Sequence, residues 1–93
     1  MKPSEILYRA IEILDERGWC RRQYEDDKGR CCAMGAIRFI ERRNDAFSAF
    51  TRPALQRSIG GTIVNFNDNE ARDKRHVQQK MRKAAKALEA EGR

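Results

Sequence analysis

The chain of 93 residues has no long apolar run, one tryptophan, one histidine, two prolines and only three cysteines. Each scarcity excludes something. Without a continuous apolar stretch of about 20 residues, nothing in it is built to cross a bilayer as a helix. The opening MKPSEIL carries one lysine and then an amphipathic pattern, not the apolar segment and small-residue cleavage site of a secretory leader. The expectation is a cytoplasmic protein with no membrane partner. The cysteines agree with a reducing compartment: Cys20, Cys31 and Cys32 are odd in number and two are adjacent, a poor basis for a disulfide framework. Together with the lone His76 they supply no C-x-x-C pair and no four convergent donors, so neither a metal nor a cofactor is expected.

At this length a single domain, residues 1–93, is expected, with room for a modest core and none for a deep cofactor cleft. That weighs against an enzyme. Hydrophobic residues at 40% and charged residues at 37% suit a folded domain with a dense charged surface rather than a disordered tail. The net charge of +6 is unevenly placed. Residues 1–47 hold ten Lys and Arg against nine Asp and Glu, and residues 48–93 hold ten against five. An electrostatic partner is therefore expected on the second half.

Ile6, Leu7, Ala10, Ile11, Ile13 and Leu14 recur at spacings of three and four, which predicts a helix over Pro3–Arg17 with a wide buried face. Ser4 is expected to cap it and Gly18 to end it. Asp26-Asp27-Lys28-Gly29 reads as a turn with Gly29 at positive φ. The second helix is expected from Cys31 or Cys32 to about Asn44. Cys32, Gly35, Ala36, Phe39 and Ile40 fall on its inner face, and Met34, Arg38, Glu41 and Arg42 on its outer one. Glycine inside a helix costs about 1 kcal/mol relative to alanine, so something must approach Gly35 closely, and Trp19 is the candidate.

A short helix containing Pro53, capped by Thr51 and ending before Gly60-Gly61, is expected next, anchored by Phe47, Phe50 and Leu55. Thr62-Ile63-Val64-Asn65-Phe66 is β-branched and brief, and reads as an extended connector or small strand broken by Asn67-Asp68-Asn69. The last helix, about Glu70 to Ala90, is capped by Asp73 or an earlier acidic residue. It places Val77, Met81, Ala84, Ala85 and Leu88 on one stripe. The expected fold class is mainly α with minor β. Three to four helices surround one small core, with short extended segments or a hairpin near residues 19–31 and 62–66.

Several short motifs carry a resemblance: Gly18-Trp19, then C-A-x-G-A from Cys32 to Ala36, then Phe66-Asn67-Asp68 ahead of a closing helix. Together they resemble a group of short proteins from actinobacteria and their phages that form a domain family of unknown function. The resemblance covers most of the chain and implies a small cytoplasmic, phage-type protein with no activity to carry over. It singles out Gly18, Trp19, Cys32, Gly35, Ala36, Asn67 and Asp68, which are read as structural. Cys31 is a departure from the pattern.

A thiol at a helix N-terminus is a candidate nucleophile, and Cys32, His76 and either Asn67 or Asp68 form a triad on paper. The apolar face on which Cys32 falls favours packing over catalysis, because burial raises a thiol's pKa. No catalytic residue is assigned. On the last helix Arg72, Arg75, Arg82, Lys83 and Lys86 gather within about 100° of arc opposite the buried stripe, with Gln79 among them. Such a ridge can neutralise phosphates, yet no aromatic is interleaved for base stacking and no DNA- or RNA-binding motif is present. The functional expectation is a small non-enzymatic accessory protein that binds a host macromolecule, a host protein first. The alternatives are DNA or RNA on the basic helix, a nucleotide or other small anion, and, last, a Cys-dependent enzyme.

Overall fold

The helical spacing of the first apolar residues becomes helix α1, Pro3–Arg17, in the computed structural model, which describes all 93 residues. Ile6, Leu7, Ala10, Ile11, Ile13 and Leu14 are all buried. Its start differs from expectation. Lys2 holds the cap position, Pro3 takes the first helical position, where its missing N–H costs nothing, and the Glu5 carboxylate accepts the Lys2 backbone N–H at 2.9 Å. Ser4 lies inside the helix, and its hydroxyl donates to the Arg93 carbonyl at 3.0 Å, tying the last residue to the first turn. Gly18 ends α1 at φ +90°.

The segment between α1 and the next helix forms no continuous strand. Two isolated bridges, Trp19 with Cys31 and Glu25 with Cys31, fold it back on itself. Its turn is held by Asp26, whose carboxylate accepts the Lys28 and Arg30 N–H groups at 3.0 and 2.8 Å, and Gly29 sits at φ +81° as expected.

Helix α2, Ala33–Arg43, starts at Cys32, whose sulfur accepts the Gly35 N–H at 3.3 Å. Ala36, Ile37 and Ile40 enter the core. Two residues depart from the expected faces. Glu41, assigned to the outer side, is 8% exposed because the Arg52 guanidinium grips its carboxylate through two hydrogen bonds of 2.8 and 2.7 Å. Met34, also assigned to the outer side, is half-buried against the core, where Phe39 packs as expected with the Arg17 guanidinium 4.8 Å over its ring. Gly35 does meet a close neighbour, but that neighbour is the backbone of Tyr24 rather than Trp19.

Helix α3, Thr51–Ile59, carries Pro53 in its first turn and closes at Gly60 with φ +81°. Thr51 is not its cap: Phe50 holds that position, and Thr51 lies wholly buried with its hydroxyl unpartnered. Leu55 and Ala54 anchor α3, while Phe47 and Phe50 remain exposed.

The 62–66 segment is neither strand nor connector. The Thr62 hydroxyl accepts the Asn65 N–H and starts a helical turn, α4, Ile63–Asn65, which continues into one π turn, Phe66–Glu70. The physical reason is the spacing of the anchors. Ile63 and Phe66 are buried and Val64 is not, and residues three apart share a helix side but fall on opposite faces of a strand. Asn67, Asp68 and Asn69 sit inside the π turn instead of breaking the segment.

Helix α5, Lys74–Ala90, begins four residues after the expected Glu70 and is capped, as expected, by Asp73, whose carboxylate accepts the His76 N–H at 2.9 Å. Val77, Met81, Ala84, Ala85 and Leu88 are buried as one stripe. Gln78 joins them, its amide donating to the Ile11 carbonyl at 3.1 Å and the Asp15 carboxylate at 2.9 Å. Helix α1 packs against both α5 and α2, and α3 closes over α5. The protein is thus mainly helical with five helices rather than three to four, and no helix is long and apolar enough to cross a membrane.

A Cβ placed on Gly35 would fall on the Tyr24 carbonyl group, 2.7 Å from its carbon. The gain of about 1 kcal/mol in helix propensity cannot offset a clash with backbone. Gly35→Ala is expected to lower the urea-unfolding free energy by about 3 kcal/mol. Gly61→Ala, where the added methyl meets nothing within 4 Å, should stay within about 0.5 kcal/mol of the parent.

Candidate functional site

The motif residues converge. Trp19 leaves α1 just after Gly18, and its indole Nε1 donates to the Asn67 carbonyl oxygen at 2.7 Å. The same oxygen accepts the Ala33 N–H at the start of α2, at 2.9 Å. The amide nitrogen of Asn67 donates to the Cys20 carbonyl at 3.1 Å and to the Asp68 carboxylate at 2.9 Å. Asp68 in turn accepts the backbone N–H of Arg22 at 2.8 Å, which holds that residue at φ +70°. One side-chain amide, 1% exposed, therefore joins the loop after α1, the start of α2 and the π turn. The π turn matters here: it widens the helix at the position where Asn67 must turn inward.

Beside this junction opens a cavity of about 330 Å³ between the 22–24 loop, the first turn of α2 and α4. Arg22, Gln23, Asn67, Asp68 and Cys32 line it together with the apolar surface of Tyr24, Met34 and Val64. The sequence gives no signal for it, because its walls come from three segments that are apart in the chain.

The three thiols are free and buried. Burial pushes the Cys20 thiol up to about 11, with the Asp26 carboxylate adding to the rise. Burial also raises Cys32, outweighing the Gly35 and Met34 N–H groups that favour its thiolate. His76 does not line the cavity. Its ring stands edge-on to Phe66, its Nδ1 accepts the Arg72 N–H at 3.2 Å, and burial, then the Arg72 and Lys80 cations, hold it below the ordinary histidine range. The paper triad of Cys32, His76 and either Asn67 or Asp68 thus has each member engaged elsewhere.

The basic ridge is real as a surface, with one change of membership. Arg75, Arg82, Lys83 and Lys86 project from α5 and are exposed, with Gln79 between them. Arg72 is exposed but precedes the helix. None of the five forms an ion pair: the ion pairs of the molecule join Arg17 to Glu25, Arg30 to Asp26, Arg52 to Glu41, Lys74 to Asp15 and Arg93 to Glu91. On the α1 side the ridge is bounded by Asp15, already bound by Gln78 and by Lys74 at 3.0 Å. A shallow depression lies between Gln79, Arg82, Lys83 and Lys86.

The model of a family of unknown function, DUF6197, matches residues 1–87. The chain belongs to that family. No curated protein and no solved structure matches it. The DUF6197 span takes in the Asn67 junction, the cavity and the whole basic ridge, and leaves out the Arg93 tie to Ser4.

Two outcomes follow from this geometry. Asn67→Ala strands the Trp19 indole N–H, the Ala33 N–H and the Cys20 carbonyl, and is expected to cost about 3–5 kcal/mol in urea unfolding. The thiols set a pH dependence. Their folded pKa values are raised, so the folded chain keeps protons that the unfolded chain releases, and this stability is full below the unfolded thiol pKa and lost as pH rises. His76, held low in the folded chain, lowers the urea midpoint as pH drops below about 6.5. The midpoint should be flat from about pH 7 to 8 and fall from about pH 9 through 11, less steeply in Cys20→Ala. A midpoint that rises with pH in that window would contradict it.

Proposed function

We propose that this chain is a small non-enzymatic, phage-type accessory protein that holds a host macromolecule, a protein in the first instance, on the basic outer face of α5 and the surface beside it. The observation that carries the reading is the set of exposed cations Arg75, Arg82, Lys83 and Lys86, none of them paired with a carboxylate. Cations left unpaired on one face repel one another, and an acidic partner relieves that repulsion while steering the encounter. Arg72 is exposed just ahead of the helix. Catalysis by Cys32 draws no support from a buried thiol whose pKa is raised.

One feature favours DNA or RNA as a second reading: the exposed arc of α5 has no large apolar side chain, only cations, Gln79, small residues and one carboxylate, Glu89, which accepts the Tyr8 hydroxyl. Phosphates need no apolar anchor. A nucleotide or other small anion would use the depression lined by Gln79, Arg82, Lys83 and Lys86.

The test compares the parent chain with Arg75→Glu/Arg82→Glu/Lys86→Glu as bait in pull-downs from bacterial lysate, with and without nuclease. The reversed variant should unfold at nearly the parent's urea concentration, each change costing within about 0.5 kcal/mol. A protein captured by the parent in both lysates and lost by the variant supports the first reading. If duplex DNA is the target instead, four phosphate contacts predict an affinity that falls about a hundredfold between 50 and 200 mM salt. Capture that survives the charge reversal overturns the ridge as the binding face.

A further inference from the structure

The exposed large apolar residues of the molecule are Met1, Tyr24, Phe47, Phe50 and Val64, and two of them, Tyr24 at 52% and Val64 at 48%, rim the cavity beside Asn67. The apolar surface does not stop at the rim. Met34 lines the cavity and touches the Arg52 guanidinium, Nε to Sδ 3.3 Å, and Arg52 lies over the ring of Phe47, which is 73% exposed. Arg38 lies over Tyr24 at 4.3 Å. Tyrosine, phenylalanine, methionine and arginine are the residues enriched where proteins meet proteins, and this face has no lysine among them.

Its charges also point one way. Arg22, Arg38 and Arg42 are exposed and unpaired. Most carboxylates nearby are already engaged: Glu41 by Arg52, Asp68 by the Arg22 N–H and the Asn67 amide, Glu25 by Arg17 and Asp26 by Arg30, which leaves Asp27, near Arg22, as the exposed acid without an ion pair. The cavity lining includes Arg22 at φ +70°, a conformation that costs a non-glycine residue free energy and is held by Asp68. Its volume, about 330 Å³, is at the small end of the range for ligand cavities and suits one large side chain rather than a cofactor.

We infer that this face, formed by the 22–24 loop, the outer side of α2 and α4, docks an acidic segment of a partner protein that seats one large apolar side chain between Tyr24, Met34 and Val64 while its carboxylates meet Arg22, Arg38 and Arg42. A second copy of this chain fits poorly, since a two-fold pairing would set the same cations against each other. A nucleic acid fits less well: the exposed rings of Tyr24 and Phe47 each have a face already covered by a guanidinium, and Met34 and Val64 add no stacking surface. The inference stands on a different face from the α5 ridge, so either can fail alone.

The test uses the full chain, immobilised, to select peptides from a random displayed library. Selected peptides should share one aromatic or large aliphatic residue flanked by Asp or Glu. Binding should perturb the emission of the sole tryptophan, because Trp19 is hydrogen-bonded to Asn67 in the cavity wall. Val64→Glu, at an exposed position, should weaken a selected peptide about tenfold or more, and Tyr24→Ser likewise, with the urea midpoint of each variant confirming the fold. Arg75→Glu/Arg82→Glu/Lys86→Glu should leave that peptide's affinity within about twofold, since rim charges away from an interface matter little. The inference is overturned by no enrichment, by peptides indifferent to Val64→Glu, or by peptides lost on reversal of the α5 ridge. A concentration-dependent dimer that Val64→Glu dissolves would overturn it as well, by making the second copy the occupant.

Discussion

The amide of Asn67 is the constraint on which the fold leans. It accepts from Trp19 and Ala33 and donates to the Cys20 carbonyl and Asp68, so both of its polar atoms are in use while the side chain is almost wholly buried. A buried amide is costly unless satisfied, and a satisfied one specifies a single arrangement, because no other side chain presents donors and acceptors in that geometry. Three segments that share no local structure are thereby fixed to one another: the irregular loop after α1, the first turn of α2, and the π turn. Without that junction the loop from Trp19 to Arg30 would depend on two isolated bridges and the Asp26 turn.

The adjacent cysteines take their meaning from this junction. Cys32 and Asn67 divide the work of starting α2: the sulfur accepts the Gly35 N–H and the amide oxygen accepts the Ala33 N–H. Cys31 is buried and is bridged to both Trp19 and Glu25. Gly35 completes the arrangement, since only a residue without a Cβ lets the Tyr24 backbone lie against α2, where its carbonyl also accepts the Cys32 N–H at 3.3 Å. The C-A-x-G-A motif and the Asn-Asp pair are thus two halves of one packing solution, with the tight turn of Arg22 as its strained by-product.

Regular helices were readable because their apolar residues recur at one period over many turns, as in α1 and α5. What could not be read falls where a single side chain overrides a local pattern. The β-branched run at residues 62–66 suggests a strand, but the pair that finds the core, Ile63 and Phe66, is three residues apart. Glu41 sits on the polar side of α2 by sequence and is buried only because Arg52, from the next helix, reaches it. Ser4 and Thr51 have the chemistry of caps yet face inward, and no local rule states that the chain will enter each helix a residue or two earlier. Of the surfaces, the α5 ridge was legible because it needs only one helix's periodicity. The cavity was not, because its apolar residues Tyr24, Met34 and Val64 are neighbours only through tertiary contact.

Those two surfaces would ask different things of a partner. The α5 face offers charge on long flexible stems with no apolar anchor, a combination that gives fast, salt-sensitive and weakly selective encounters. The α2 face offers a walled cavity, aromatic rings backed by guanidinium groups and cations held near a rigid junction, a combination that gives short-range selectivity. The rigidity has a definite source: Met34 rises from the helix turn that Cys32 and Asn67 begin, Arg22 is held by Asp68, and Tyr24 is pressed on Gly35. A cavity whose walls are fixed by buried hydrogen bonds loses little conformational entropy when it is filled, so more of the contact energy is left to discriminate between occupants. The side-chain amide that closes the fold is in this way also what preorganises the face inferred to dock a partner.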